Sequence, residues 1–240
     1  MVKNGISISQ RLHEALGKII SDTPPGQRLL TEPVLAKQLS VSRATLREAM
    51  RTFETQGLIY RHQGSGTFVI HPSQVIDTGL EVLESIETLS KRIGLVVSMG
   101  ELHIHHTPAN EEYSKALSIQ LNQPILVVSR VIQAEGRPVA YLMDVLPEDI
   151  VPLEELQSGF TGSMLDLLMN RGTPALVSSR CEINAVQATS DISKALLIQR
   201  GDVLLRFVGY LYSTNGHVVD YSYSYFLPGY FNFHVIRRVG

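Results

Sequence analysis

The sequence predicts an α+β protein in two parts: a small helical head closed by a β-hairpin, then a larger antiparallel sheet with helices on one face. Three observations predict it. Residues 31–69 set two helical segments and two short strands in succession, with cap and turn residues at the junctions. Residues 109–227 carry one pattern twice, a helix followed by strand, turn and strand, with the copies seventy-nine positions apart. The charge divides along the same line. Residues 1–71 hold nine Lys and Arg against five Asp and Glu, a balance of +4, and residues 72–240 hold twelve against eighteen, a balance of −6.

The head begins with a helix over Ile8 to Ile20, where Leu12, Ala15, Leu16, Ile19 and Ile20 share one side and Gly17 weakens it slightly. Thr23-Pro24-Pro25-Gly26 ends it and delivers Arg28-Leu29-Leu30 as a short strand able to join a later hairpin. Thr31 is placed to cap a second helix, whose first turn tolerates Pro33 because a first-turn amide has no intrahelical partner. Ser40-Val41 makes a turn. Ser42 caps a third helix that runs to about Gln56, and Gly57 supplies the left-handed residue that stops it. In that helix Leu46, Ala49, Met50 and Phe53 form an apolar stripe, while Arg43, Arg47 and Arg51 recur every four residues on another face. A greasy back with guanidinium groups in front suits the major groove, where Arg forks onto guanine O6 and N7. Leu58–Arg61 and Thr67–Ile70 read as two strands joined by His62-Gln63-Gly64-Ser65-Gly66, whose glycines bring bare amides close to phosphates. Arginine stripes alone usually mark a solvated surface helix; this ordered set points instead to a winged helix-turn-helix on double-stranded DNA.

Residues 8 to 70 resemble the winged helix of the GntR regulators. The residues that carry the resemblance are Ser42-Arg43, Thr45, Arg47 and Ala49, then Gly57-Leu58-Ile59, then Gly64, Gly66, Thr67, Phe68 and Val69. The resemblance implies DNA contacts from Thr31, Ser42, Arg43, Thr45 and Arg47, with the wing tip Gln63, Gly64, Ser65 and Gly66. Pro33 stands where the family usually carries an Arg, so one expected contact is missing and operator preference or affinity is altered.

Residues 73–92 form a connection with partly helical character, from Leu80, Leu83, Ile86 and Leu89. In the second part, roughly 93–240, Ser114-Lys115-Ala116-Leu117 and Ser193-Lys194-Ala195-Leu196 open the two copies of the repeat. Each is followed by an apolar strand (Ile125–Gln133, Val203–Tyr212), a turn (Glu135-Gly136, Asn215-Gly216) and a second strand (Pro138–Leu146, Val218–Leu227). Leu117, Arg130, Glu135-Gly136, Pro138-Val139, Ser163 with Leu165 and Leu168, Ala195-Leu196, and Phe231 with Phe233 resemble the UTRA effector-binding domain of HutC-type GntR members, which has a chorismate-lyase-like fold.

A pocket in such a domain needs a few polar groups against an apolar wall. Arg130 sits within Ile-Leu-Val-Val-Ser-Arg-Val-Ile, where a charge is costly unless paired, so it either meets a ligand or forms an internal ion pair, for instance with Asp144 or Glu182. The resemblance implies that Arg130 holds the phosphate or carboxylate of an effector. Ser163 opens a helix and is either part of an anion cradle or a plain N-cap. Ser178 lies near Arg180 and offers a further hydroxyl; Tyr223 and Tyr225 share one strand face and either pack or reach the pocket. Ile132 and Leu142 stand where many sugar-phosphate-sensing members carry Arg and Glu, which favours a more apolar acid or a small aromatic or aliphatic effector.

No cofactor or metal site is expected. His103-Ile104-His105-His106 puts two imidazoles on one strand face, but a closed zinc site wants three or four ligands. Cys181 is the only cysteine, which fits a reducing cytoplasm and a small buried residue; no apolar run reaches membrane-span length. The expected protein is a cytoplasmic homodimeric regulator, repressor in sign, released from a palindromic operator by a small-molecule effector, an organic acid or phosphate-bearing metabolite. A ligand-independent architectural DNA binder and a lyase-like enzyme are the alternatives; the second lacks any paired carboxylates or His–carboxylate–nucleophile set. Arg47→Ala is expected to lose ~1–3 kcal/mol of specific binding, and Arg130→Ala to spare DNA binding while abolishing release.

Overall fold

In the computed structural model residues 8–55, 57–62, 65–70 and 75–237 are described. The chain divides into two compact units, residues 1–75 with 228–230 and residues 76–227 with 231–240. The first has one apolar core, and the second has one on each side of its sheet.

In the first unit α1 (Ile8–Asp22), α2 (Glu32–Gln38) and α3 (Arg43–Thr55) precede β1 (Ile59–His62) and β2 (Gly66–Val69). Leu16, Leu35, Leu46, Met50 and Ile59 are wholly buried together, so the apolar stripe of α3 faces α1, α2 and the hairpin. The stripe fixes which side of α3 remains for a partner. The left-handed Ser40 makes the turn before α3, and Gly57, also left-handed, follows it. β1 and β2 pair antiparallel from Ile59↔Val69 to His62↔Gly66. The segment before α2 joins them through a bridge of Arg28 with Phe68.

In the second unit six antiparallel strands run in the order β4-β5-β6-β9-β8-β7. They are β4 (Val97–Pro108), β5 (Pro124–Ala134), β6 (Arg137–Pro147), β7 (Leu176–Gln187), β8 (Val203–Ser213) and β9 (Val218–Phe226). α5 (Glu111–Leu117) connects β4 to β5, and α8 (Ser190–Ala195) connects β7 to β8. The repeat is therefore strand, helix, strand, strand, longer by its first strand than the sequence pattern showed. The copies lie side by side, meeting at β6 and β9 from Ala140↔Phe226 to Val145↔Tyr221. A separate parallel pair joins β3 (Ile76–Gly79) to β10 (Phe231–His234), and α4 (Ile86–Arg92) follows β3. Leu80 and Leu83 precede α4 rather than belonging to it.

Helices cover both faces of the sheet, not one. α6 (Leu153–Gly159) and α7 (Met164–Arg171) contribute Leu156, Met164 and Leu168 to a core with Leu126, Val128 and Leu146. On the other face Ala109 and Leu117, beside and within α5, pack with Ile125, Val127, Val145 and Tyr221. Successive β5 residues thus enter different cores, and the strand is buried on both sides from Ile125 to Ile132. That double burial is the reason a continuous apolar run stands there instead of an alternating one.

Candidate DNA-binding face and effector site

α3 opens on Ser42, whose Oγ accepts the Thr45 backbone N–H at 3.1 Å and exchanges a hydrogen bond with Thr45 Oγ1 at 2.8 Å. Thr31 occupies the N-cap position of α2, but its hydroxyl makes no cap hydrogen bond, so it caps by backbone geometry alone. Its hydroxyl is exposed, as are Ser42, Arg43, Thr45 and Arg47. The three arginines of the stripe differ. Arg47 has a side chain 57% exposed, while Arg51 is 21% exposed and lies 4.0 Å from Glu48. Glu32 of α2 organises this face: its Oε2 receives Arg47 Nε at 2.6 Å and its Oε1 lies 3.8 Å from Arg61 of β1. Arg61 also donates to the Arg47 carbonyl at 3.2 Å and pairs with Glu54 at 3.4 Å. Ser65 is exposed beside Gly66, which adopts a φ of 117° that disfavours any side chain. Gln63 and Gly64 lie outside the described residues.

In the sheet, register decides which side chains meet. Val128, Asp144, Ser222, Gly209 and Cys181 stand opposite one another across five strands, and Arg130, Leu142, Ser224, Phe207 and Ile183 form the next row on the same face. Arg130 is 4% exposed; its Nη1 donates to Asp144, its Nε donates to the Gly162 carbonyl, and its guanidinium lies 5.3 Å from the Phe160 ring centroid. Of the two pairings the sequence left open, Asp144 is the partner; Glu182 pairs with Arg180. Ser163 caps α7, its Oγ accepting the Asp166 amide at 3.0 Å, and Asp166 in turn accepts from Ser85, the cap of α4, at 2.7 Å.

Sequence reasoning did not find three acids that join this cluster. Asp220 is 5% exposed, and Oδ1 of its carboxyl has no hydrogen-bond partner among the described residues. Burial first, then the adjacent Asp144 charge, hold the Asp220 carboxyl well above the usual carboxylate range. Glu87 of α4 is also raised, mainly by burial, with the Asp166 and Asp144 charges adding to it while its own backbone and Arg130 oppose. Asp166, the third, is tied to Ser85 as above. Only strand pairing and helix placement gather these residues, and no spacing in the sequence announces them.

The remaining effector candidates lie elsewhere. Tyr223 and Tyr225 alternate with Ser222 and Ser224 on β9 and so occupy the opposite face. The Tyr221 and Tyr223 hydroxyls lie 2.7 Å apart and both are within hydrogen-bond reach of Glu112 of α5, so one donates to the acid directly and the two protons are shared among the three groups; burial first, and that acid, push both phenols upward. Tyr225 stands near Arg206 and Tyr141, and its phenol is raised chiefly by burial. Ser178 is exposed on β7 opposite Tyr212. Of the alternatives left open for Tyr223 and Tyr225, packing is the one seen: the sheet separates them from Arg130 and Ser163, and Ser178 lies on an outer strand.

His103 pairs with Glu101 at 3.0 Å, and His106 lies 3.6 Å from Glu148. Among the described residues no group of three or more His, Cys, Asp or Glu is placed to hold a metal. Cys181 is exposed on β7, not buried as expected, because an outer strand has no neighbour on one side. No helix of the described residues is long and apolar enough to cross a membrane.

Residues 8–69 match the family described as bacterial regulatory proteins, gntR family, and residues 92–232 match the UTRA domain. The transcriptional repressor NagR of Bacillus subtilis (strain 168) is 26% identical over 200 residues, covering 83% of this chain and 81% of its own length. MngR of Escherichia coli (strain K12), a mannosyl-D-glycerate transport/metabolism system repressor, is 26% identical over 238 residues, covering 96% and 94%. The crystal structure of PhnF from Mycobacterium smegmatis shares the fold with a TM-score of 0.65 at 20% identity, covering 95% of this chain and 100% of that one. With an arginine-bearing helix and hairpin in one unit and an enclosed polar cluster on a six-stranded sheet in the other, the chain belongs to the gntR family of bacterial regulatory proteins, as a ligand-responsive DNA-binding regulator whose second part is a UTRA domain.

Proposed function

We propose that the chain is a homodimeric repressor that reads a palindromic operator with α3 and leaves it when a small molecule enters the polar cluster around Arg130. The observation that carries the DNA half is the exposed Arg43 and Arg47 on a helix whose other side is locked into a core, beside a Gly-bearing hairpin. Arg47, set by Glu32, reads a base edge; Arg43, Ser42 and Thr45 take phosphates or bases at the helix start, and Thr31 contacts the backbone. Ser65 and Gly66, with Gln63 and Gly64, form the wing contact. Two-fold symmetry of the dimer supplies two such heads to two half-sites. The repressor sign is supported by the relatives NagR and MngR, each named as a repressor. Action on a chromosomal operator places the protein in the cytoplasm.

Residues 1–72 serve as the DNA-reading head, 73–92 as the connection and 93–240 as the effector and dimerisation domain. Arg130 and Ser163 belong to the effector site in this reading. The organic acid or phosphate-bearing metabolite implied by the family resemblance would have to displace Asp144 from Arg130 and enter beside Glu87 and Asp220.

Selection of bound fragments from random DNA, followed by footprinting, tests the reading. Two half-sites about one helical turn apart are expected, with one dimer bound. A single unsymmetrical footprint that saturates at one chain per site would overturn the dimeric repressor. Release by no small molecule would leave the ligand-independent architectural reading.

A further inference from the structure

We propose that β7 is the edge through which two copies of the chain associate: their β7 strands pair antiparallel about a two-fold axis at Cys181, so that two six-stranded sheets become one. The proposal rests on the reading of the chain as a homodimer and names the surface that holds it.

β7 ends the sheet, and none of its residues from Leu176 to Gln187 is buried. Its backbone has one side to spare. Ala188 donates to the Asp202 carbonyl at 2.8 Å, and the register with β8 then runs back to Ser178 without a shift. Antiparallel bonds alternate along a strand, so the even-numbered residues turn their amides toward β8, while Ser179, Cys181, Ile183 and Ala185 turn theirs outward. A long edge of this kind is a template for another strand unless lysine, proline or a bulge blunts it. β7 has no lysine or proline, its one irregularity lies at its start, and its two charges, Arg180 and Glu182, bond each other. β4, the opposite edge, is blunted. A shift between Met99 and Leu102 breaks its ladder, and Glu101, His103, His105 and His106 stand along it.

Charge selects the partner and the register. A second copy presents the same two charges in reverse order. Centred on Cys181, the pairing sets Arg180 opposite the partner's Glu182 and Glu182 opposite the partner's Arg180, on one face of the joined sheet. Centred one residue either way, it would set Arg180 against the partner's Arg180, or Glu182 against the partner's Glu182. Centred on Ser179 or Ile183, it would leave both charges facing uncharged residues. The Cys181 register also lays Ser178 opposite the partner's Asn184 and covers Ile183, 46% exposed in the single chain, with the partner's Ser179. A two-fold pair of this kind closes on itself, whereas β7 on the partner's β4 would leave free edges and grow into a filament. Cys181 meets the partner's Cys181 with Cα atoms about 5.5 Å apart, a separation that a disulfide spans.

Full-length protein is examined by sedimentation velocity across a dilution series, and by mild oxidation with copper-phenanthroline where it is dimeric. A dimer whose two chains join covalently through Cys181 is expected, with no joining in Cys181→Ser. Arg180→Glu should weaken dimerisation by about tenfold or more, because the two-fold axis repeats the clash. Arg180→Glu combined with Glu182→Arg puts opposite charges back across the axis and should recover the dimer, which separates a charge effect from poor folding. A dimer that Cys181 does not join, or one that Arg180→Glu leaves as tight as before, overturns β7 as the surface and leaves the homodimer standing. Assemblies larger than two overturn the two-fold pairing. A chain monomeric at every concentration removes the homodimeric reading, and this proposal with it.

Discussion

Arg47 and Arg130 are each held by one carboxylate, and their surroundings give the two pairings different consequences. Arg47–Glu32 is solvent-exposed at the arginine end, where an ion pair contributes ~0–1 kcal/mol. Its value lies in orientation, because Glu32 also reaches Arg61 and so fixes the helix–hairpin edge. Glu32→Gln should therefore change thermal stability little while lowering the ratio of specific to non-specific DNA binding, read by competition with unrelated duplex; an unchanged ratio would show that Glu32 does not position Arg47. Arg130–Asp144 is buried at both ends. Arg130→Ala strands Asp144 beside Asp220 in the interior and should destabilise the protein by about 3–5 kcal/mol, measured by denaturant titration. The same variant is expected to keep DNA binding, whose residues lie in the other unit, and to lose release by the effector. Wild-type stability in the variant would make the pair dispensable.

The polar face of the sheet carries a pH dependence of definite sign. Asp220 and Glu87 hold protons in the folded protein at pH values where the unfolded chain, with carboxyls near ~4, has lost them. In that window the folded state binds more protons, so stability falls as pH rises above the unfolded carboxyl value of about 4. Asp220→Asn removes much of that slope; a melting temperature whose pH profile is the same in the variant would mean that Asp220 is ionised throughout. How this face assembles explains what was legible in advance. The Ser42 cap, the stripe ending at Phe53 and the left-handed Gly57 are local signals, and α3 follows from them. The helix–hairpin repeat was equally plain. The continuous apolar run of β5 held a further signal, that both faces are covered, which a single-sided layer overlooks. What no local pattern supplies is the pairing of β6 with β9, and that register alone sends Tyr223 and Tyr225 to one side and Asp144, Ser222 and Ser224 to the other.

At the scale of the whole chain, the basic first part and acidic second part predict DNA affinity that rests on few phosphate contacts per head. In a dimer, Arg43→Gln should reduce the slope of log affinity against log salt by about 2 if each Arg43 neutralises one phosphate, roughly 1 per head; an unchanged slope with altered base preference would make Arg43 a reader of sequence instead. The β6–β9 seam has a consequence for how the chain reaches this state. Each hairpin, β5–β6 and β8–β9, closes over a short turn, but Ala140 and Phe226 must find each other across most of the second unit. Local hairpins form quickly and distant pairing slowly, so the seam, like the still more distant β3–β10 pair, is expected to close after the hairpins. A slip there by a single residue would exchange the two sides of β9, burying tyrosines against Arg130 and turning Asp220 away from it. Misfolded chains of that kind would retain their β content yet lose the acidic cluster, and a sensor would emerge from the ribosome deaf before it was ever unfolded.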